Sequence, residues 1–357
     1  MGRMPTVDDV AQAAQVSRQT VSNVLNSPEI VRESTRERVQ QAIDTLGYRP
    51  HASARRLRTL KSSTIGVRID PLRDGISGAV LDRFLHKLAE HAASRDLRVM
   101  IFTAGDAADE LSHIRRLRDG SDVDAFVLIA TFHGDPRIEW LTDNHVPFVS
   151  FGRPWGSEVT DPRHRWVDVD GRAGVREATL RLHEQGARRV AFIGWPSPSG
   201  TGDERRAGWD EASIIPEAHR PTYAIATEDG VAEGTAAADA LLALEDAPDA
   251  IICASDSLAL GAMMAVRAAG LPELPVVGFD NTPVAAAVGL SSIDQPLDDV
   301  VEAALTLLFG ETGSDVLPNP DSNEEPTNRL LVPRLVERRS SHLMLDEIPG
   351  AQSSGNH

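Results

Sequence analysis

The apolar positions of the first fifty residues follow a helical period. Val7, Val10, Ala11 and Ala14 recur at i, i+3, i+4 and i+7, one face of a helix. Thr6 is its N-cap, with Asp9 three residues on as capping-box partner. Ser17 opens a second helix whose apolar residues are Val21, Val24 and Leu25, and Val16 in the turn can plug the gap between the two. A third helix is predicted over Ser34–Leu46, with Val39, Ile43 and Leu46 covering the first two and Gly47 as C-cap.

From Ser63 the rhythm changes to short β-rich runs alternating with helical patterns. Strands are predicted at Thr64–Ile69, Arg98–Thr103, Ala125–Ala130, Phe148–Phe151, Trp166–Val169, Arg189–Gly194, Tyr223–Ala226, Ala250–Ala254 and Pro275–Phe279. Helices fall between them, at about Ile76–Ser94, Ala107–Asp119, Pro136–Asn144, on to Gln185, Glu204–Ala212, Val231–Leu244 and Leu258–Ala269. Strands buried on both faces and joined by helices make parallel sheets with helices on either side. Two such sheets side by side give a hinged cleft. Ligands bind outside the carboxyl ends of such strands, so the residues just after each strand are predicted to line it. These are Asp70 and Pro71, the Gly152-Arg153-Pro154-Trp155 turn, Ser255-Asp256, Asp280-Asn281, and Arg205 in the helix after the Ser197–Asp203 loop. Carboxylate and guanidinium groups take paired hydroxyls, and an aromatic ring stacks on a pyranose face, which is sugar-binding chemistry. The same residues also fit a structural Arg205–Asp280 ion pair with Trp155 packed as a lid.

The polar face of the second helix is Arg18, Gln19, Ser22, Asn23 and Asn26, and it carries no acid. Arg, Gln and Asn match the donor and acceptor geometry of base edges in the major groove. The pair therefore reads as a helix-turn-helix with a recognition helix, against the plainer alternative of an amphipathic helix pair with a solvated face. Arg49 to Lys61 holds five basic residues and no acid, with little apolar surface of its own, so it is expected to order only when bound. Leu57, set among Arg55, Arg56 and Arg58, suits a wedge that opens a minor-groove base step; a charged linker is the alternative. Charge supports one DNA-binding end. Residues 1–61 hold 10 Lys+Arg against 6 Asp+Glu, while the rest of the chain holds 26 against 47, so a basic arm sits on an acidic body.

VDDVAQAAQVSRQTVSNVLN, VRESTRERVQQAIDTLGYRP and HASARRLRT resemble the DNA-binding headpiece and hinge of the LacI-type repressor family. WVDVDGRAG, ERRAGW, ASDSLALGAM, VVGFDNT, SIDQP and LLVPRLVERRSS continue the resemblance in order, so it covers about residues 5–340. It implies that Arg18, Gln19 and Asn23 read bases, that Thr20 and Ser22 touch phosphates, and that Leu57 is the hinge-helix wedge with Arg55 beside it on the DNA. It also implies effector contacts at Arg205, Ser255 and Asp280, with Gln295 near the crossover between lobes. Three departures stand out. Arg32 occupies a place where a Ser usually caps the third helix, Ser255 stands where many members have Asn, and residues 227–232 lack an aromatic that some members stack on sugar.

The expected fold is thus a small all-α helix-turn-helix headpiece plus an α/β core of two parallel-sheet lobes, like type I periplasmic binding proteins. The expected divisions are a headpiece at 1–48, a hinge at 49–61, a first lobe from 62–165 and 294–327, a second lobe from 166–293 and 328–340, and a polar tail at 341–357. Crossings between lobes are expected near Arg165, near Ile293 and after the Gly310–Asn328 loop. A chain of 357 residues that is 41% hydrophobic can bury cores of this size. No apolar run reaches 18 residues, and MGRMPTVDDV lacks the apolar centre of a signal peptide, so a cytoplasmic protein is expected. The lone Cys253 lies in an apolar run and is read as a buried, inert thiol.

Catalytic patterns are missing. There is no Walker loop, HExxH, GxSxG or paired-cysteine spacing, His86 and His91 do not share a helix face, and DVDG at 168–171 lacks the later ligands of a calcium loop. No enzyme, cofactor or metal is expected. A transporter's sugar-binding protein is the rival, and the headpiece argues against it. The expected mechanism is a homodimer, or a pair of dimers, placing two headpieces on a pseudo-palindromic operator. A small effector closes the cleft and releases the DNA.

Overall fold

The computed structural model describes residues 5–48, 61–69, 78–156, 159, 161, 163–311, 313, 316–317 and 328–341. The chain divides into two compact units, Met1–Ser62 and Ser63–His357. In the first, helix α1 (Val7–Ala13) starts at a closed capping box: the Thr6 hydroxyl accepts from Asp9 N and the Asp9 carboxylate accepts from Thr6 N at 2.7 Å. Helix α2 (Arg18–Asn26) is capped by Ser17, which accepts from Thr20 N at 3.0 Å. A 3-10 turn (Pro28–Ile30) leads to helix α3 (Glu33–Leu46). Arg32 stands at the N-cap of α3 and makes no side-chain cap bond. Gly47 ends α3 with φ +61°, and Tyr48 N returns to Ile43 O. Val10, Ala11, Ala14, Val21, Val24, Val39, Ala42, Ile43 and Tyr48 form the core, with Val16 packed against it. Leu46 does not cover the other helices as expected. It is 37% exposed in the last turn, and Ala42 and Tyr48 fill that side instead.

The second unit holds two six-stranded sheets. The first contains β1 (Thr64–Ile69), β2 (Arg98–Thr103), β3 (Ala125–Leu128), β4 (Phe148–Phe151), β5 (Arg165–Val169) and β11 (Asn328–Leu331), all parallel, in the order β11-β5-β4-β3-β1-β2. Helices α4 (Gly78–Ser94) and α12 (Leu297–Phe309) cover one face; α5 (Ala107–Asp119) and α6 (Pro136–Asp143) cover the other. Alternation along β3 shows why. Ala125 and Val127 pack with Phe84, Leu88 and Val300, while Phe126 and Leu128 pack with Ile114 and Leu141. Each fully buried side chain of this size is worth about 1.5–3 kcal/mol.

The second sheet contains β6 (Val190–Gly194), β7 (Ala224–Ala226), β8 (Ala250–Cys253), β9 (Val276–Phe279), β10 (Ser291–Asp294) and β12 (Arg334–Val336), in the order β12-β10-β9-β8-β6-β7. It is parallel except for β12, which runs antiparallel to β10. Its helices are α7 (Gly171–Glu184), α8 (Thr201–Ala212), α9 (Val231–Leu242), α10 (Asp256–Ala268) and the short α11 (Pro283–Val288). Cys253 is buried in this core, where burial pushes its thiol well above the ordinary range.

Two expected crossings are displaced. Strand β5, with Arg165, pairs with β4 and β11 and stays in the first sheet; the chain passes to the second sheet only at Asp170, whose N–H donates to Leu331 O. Strand β11 likewise belongs to the first sheet, and the last crossing falls at Val332-Pro333. The reason is pairing: Trp166, Val167 and Val169 are buried on both faces between β4 and β11, a fit that no local pattern reveals. The pattern also passed over α11, β10, α12, β11 and β12 as elements.

Candidate nucleic-acid interface and candidate effector cleft

Helix α2 buries Val21 and Val24 and leaves Leu25 half-buried, which turns positions 18, 19, 22 and 23 outward. Arg18 and Gln19 are exposed, and Thr20, Ser22 and Asn23 half-exposed. Gln19 donates to Asn23 Oδ1 at 3.0 Å, so two of the expected base-reading groups share one hydrogen-bonded surface. Arg18 lies 3.9 Å from Asp8, an exposed pair of little energetic weight, so its fork is available for a stronger acceptor. Thr20 shares the Ser17 cap, with 2.9 Å between the two hydroxyls. The first turn of α2 holds no acid, so the positive end of the helix dipole stays uncompensated by its own side chains. Arg55 and Leu57 lie outside the described residues, as does Asp70.

The other expected residues converge where the strands of the two sheets end. Arg205, on α8, is 5% exposed. Its guanidinium stacks on Phe279, 3.6 Å from the ring centroid, with Trp195 on another side at 5.1 Å. One nitrogen donates to Ala254 O, another lies 3.9 Å from Asp280 Oδ1, and Nε is buried without a hydrogen-bond partner among the described residues. Asp280 also accepts from Gln295 Nε2 at 2.7 Å. Burial raises the Asp280 carboxyl to about 7; Arg205 pulls it down, and the neighbouring Asp256 pushes it up. Asp280 and Asn281 have φ of 107° and 47°, consecutive non-glycine residues in a region that costs free energy and recurs at binding sites.

Arg153 and Trp155 come from the first lobe, after β4. Arg153 donates to Asp168 Oδ2 at 2.6 Å and reaches 3.6 Å from Glu204 on α8, so it bridges the lobes one residue before Arg205. Trp155 lies against Gly200, where a Cβ would meet the indole at 2.5 Å, and its own Nε1 is buried without a partner among the described residues. Arg153, Trp155, Arg205, Asp280 and Gln295 are therefore brought around the start of α8. Ser255 does not open into this space as expected. It is fully buried, caps α10 through Leu258 N, and donates to Asp229. The group presented is Asp229, which also accepts from Trp195 Nε1 at 3.3 Å.

Sequence reasoning passed over Asp168, Trp195, Glu204 and Asp229. Trp195 directly follows β6 and Asp229 lies three residues beyond β7, so the strand-end rule, applied to every strand, reaches both. Asp168 is inside β5 and Glu204 inside α8, and only the folded arrangement brings them to Arg153. The described cleft thus holds two arginines and four carboxylates around two indoles. It can accept and donate hydrogen bonds to hydroxyls while offering an anion little net attraction. Among the described residues no group of three or more His, Cys, Asp or Glu is placed to hold a metal ion. No described helix is long and apolar enough to cross a membrane.

Comparison with known proteins finds both parts. Residues 6–51 match the model of bacterial regulatory proteins of the lacI family, and residues 179–341 match the periplasmic binding protein-like domain. The chain is 32% identical over 352 residues to the HTH-type transcriptional regulator CelR of Thermobifida fusca, covering 95% of this chain and 98% of that one. It is 29% identical over 348 residues to the HTH-type transcriptional repressor PurR of Escherichia fergusonii, covering 94% and 97%. Among solved structures, a CelR–cellobiose complex superposes with TM-score 0.64 at 28% identity over 94% of this chain and 99% of that one. The lac repressor dimer bound to operator and the anti-inducer ONPF superposes with TM-score 0.74 at 23% identity over 95% and 100%, a likeness of fold.

Proposed function

Because the chain belongs to the lacI family of bacterial regulatory proteins, and is a DNA-binding transcriptional regulator rather than an enzyme, we propose that an uncharged carbohydrate controls its operator affinity from the cleft. The observation that carries this reading is the buried Arg205–Asp280–Gln295 cluster at the strand ends, with Arg205 set against Phe279 and Trp195. Such a cluster suits a polyhydroxyl ring: Asp280 and Asp229 accept from hydroxyls, Arg205 and Arg153 donate, and the indoles cover an apolar sugar face. The structure of a CelR–cellobiose complex is consistent with a glucoside as the first candidate.

In this reading Arg18, Gln19 and Asn23 read bases in the major groove, while Thr20 and Ser22 hold phosphates. Residues 49–61 form the hinge, with Arg55 on the DNA and Leu57 as the minor-groove wedge. The protein acts in the cytoplasm as a homodimer on a pseudo-palindromic operator, and the lac repressor was solved as a dimer bound to operator. Sugar closes the cleft and turns the first lobes, which alters the spacing of the hinges and releases DNA. A coupling of about 1–3 kcal/mol changes operator affinity roughly 5–150-fold. The test is a thermal-shift screen of mono- and disaccharides on the full chain, each hit then titrated against operator binding. A sugar that raises the midpoint and weakens operator binding supports the reading. A hit that leaves operator binding unchanged removes the effector role.

A further inference from the structure

Asp280 is held from two sides, through its side chain and through its backbone carbonyl. Its carboxylate meets Arg205 and Gln295. Its carbonyl accepts from Arg83 Nη1 at 3.1 Å, and the same nitrogen donates to Asn281 O at 3.2 Å. Arg83 belongs to α4 of the first lobe, so its donors reach across to the strand-end loop of the second. Its other terminal nitrogen lies 3.5 Å from Asp294 Oδ1. Asp294 is the last residue of β10, and Gln295 follows it where the chain leaves for α12. Asn281 ties the same group together: its Nδ2 donates to Asp294 at 3.0 Å, and its Oδ1 accepts from Arg338 at 2.6 Å.

We propose that Arg83 is the positioning residue that carries effector occupancy at Asp280 into the first lobe. This rests on the reading of the cleft as the effector site. Arg83 touches the Asp280 and Asn281 carbonyls and the Asp294 carboxylate, not the Asp280 carboxylate. It grips the Asp280 and Asn281 carbonyls at a bend where both residues have positive φ, a costly backbone conformation that the surrounding contacts hold in place. A guanidinium fits this task because its planar fork holds several acceptors in fixed relative positions, which an ammonium on a flexible stem does not. When a sugar draws the Asp280 carboxylate toward its hydroxyls, the 280 and 281 carbonyls move and α4 loses or changes its anchor. Gln295 delivers the same displacement to the crossing strand, so the helix and the crossing answer to one carboxylate. The covalent crossings alone join the lobes whether or not the cleft is filled. Arg83 adds a contact whose geometry depends on the state of Asp280, and such a two-state contact is what coupling between sites requires.

The test uses full-length protein, an operator duplex selected from a random pool, and cellobiose as probe. The variants are Arg83→Met, which keeps the stem, and Arg83→Lys, which keeps the charge. Arg83 is a partly exposed helical side chain, so both variants should fold. For Arg83→Met the expected result is cellobiose affinity and sugar-free operator affinity each within threefold of the original protein. The change in operator affinity caused by cellobiose should be at least fivefold smaller, and Arg83→Lys should restore part of it. A merely structural staple would lower the unfolding midpoint and leave that ratio unmoved. An unchanged cellobiose response in Arg83→Met overturns the proposal, and so does a response lost only in proportion to lost cellobiose binding. If the original protein does not bind cellobiose, the glucoside reading fails by itself, and amide exchange at Asp280 and Asn281 then decides on Arg83. Exchange there at least tenfold faster in Arg83→Met, with β9 and the unfolding midpoint unchanged, supports the positioning role. Equal exchange overturns it.

Discussion

Asp280 concentrates the energetic questions of the cleft. Substituting Asn keeps the shape and tolerates positive φ, so Asp280→Asn removes charge without forcing the backbone. If the carboxylate binds sugar hydroxyls, hydrogen bonds to a charged group of this kind are worth roughly 1.5–3 kcal/mol, and effector affinity should fall tenfold or more with the unfolding midpoint nearly intact. If Arg205 and Asp280 are only a buried structural pair, the same change leaves a charge uncompensated and should cost about 3–5 kcal/mol of stability. Calorimetric titration and thermal unfolding of one variant separate the two. The pH dependence has a definite sign. Burial holds the Asp280 carboxyl near 7, above its unfolded value, so the folded protein keeps that proton between about pH 4 and 7. This group's contribution to stability therefore declines as pH rises through that window and stays lost above it. Sugar binding runs the other way, since the ionised carboxylate accepts more strongly from hydroxyls than the protonated carboxyl does. Affinity should rise by up to about tenfold per unit toward pH 7 and level off above, and Asp280→Asn should flatten the profile between pH 6 and 8. In the headpiece, Arg18→Ala or Gln19→Ala should relax preference at particular half-site positions by about 1–3 kcal/mol each. A uniform loss across all sequences would assign these side chains to phosphate instead.

Among the elements, α3 is the one whose start the sequence leaves weakest. Its N-cap is Arg32, with no side-chain cap bond, while α1 and α2 are both capped by hydroxyls. Arg32→Ser should stabilise the headpiece by about 0.5–2 kcal/mol, read as a higher unfolding midpoint of the headpiece transition. No gain would mean that α3 is fixed by packing of Val39, Ala42 and Ile43 alone. The capping of α1 and α2, the Gly47 end of α3, and most strands of the second unit were legible because they depend on residues within three or four positions of each other. Elements such as β11 were not. Its residues 328–331 are short and half exposed, and they become a strand only by pairing with Trp166–Val169, some 160 positions earlier. The charged group at Arg137 was equally hidden. It is fully buried between Asp135 and Glu110, joining α6 to α5, in a sequence that reads as ordinary helical polarity.

For the molecule as a whole, charge asymmetry has a measurable consequence. If the basic 61-residue arm carries the contacts with phosphate, operator affinity should fall steeply with salt, by about 10³–10⁵ between 50 and 200 mM for 6–10 contacted phosphates. Sugar affinity, set by buried groups, should stay nearly flat over the same range. A shallow operator slope would mean that few phosphates are engaged and would undo the arm's proposed role. The amino-acid sequence by itself determined the class of the protein: helical period, cap residues, the acid-free face of α2 and the alternation of strands and helices are all local properties. It also determined which polar side chains follow the strand ends, hence Arg153 and Asp280, and that Arg205 lies early in the helix after β6 and its loop. Tertiary structure alone decided how those groups are partnered and which sheet each late segment joins. Ser255 turns to Asp229, Glu204 reaches Arg153, and Arg83 grips a carbonyl 197 residues away. The strand with Arg165 stays in the first sheet because two neighbours bury it. Such choices depend on contacts between distant segments, whose energies are comparable for several pairings until the whole core is packed, and no short window of sequence contains them.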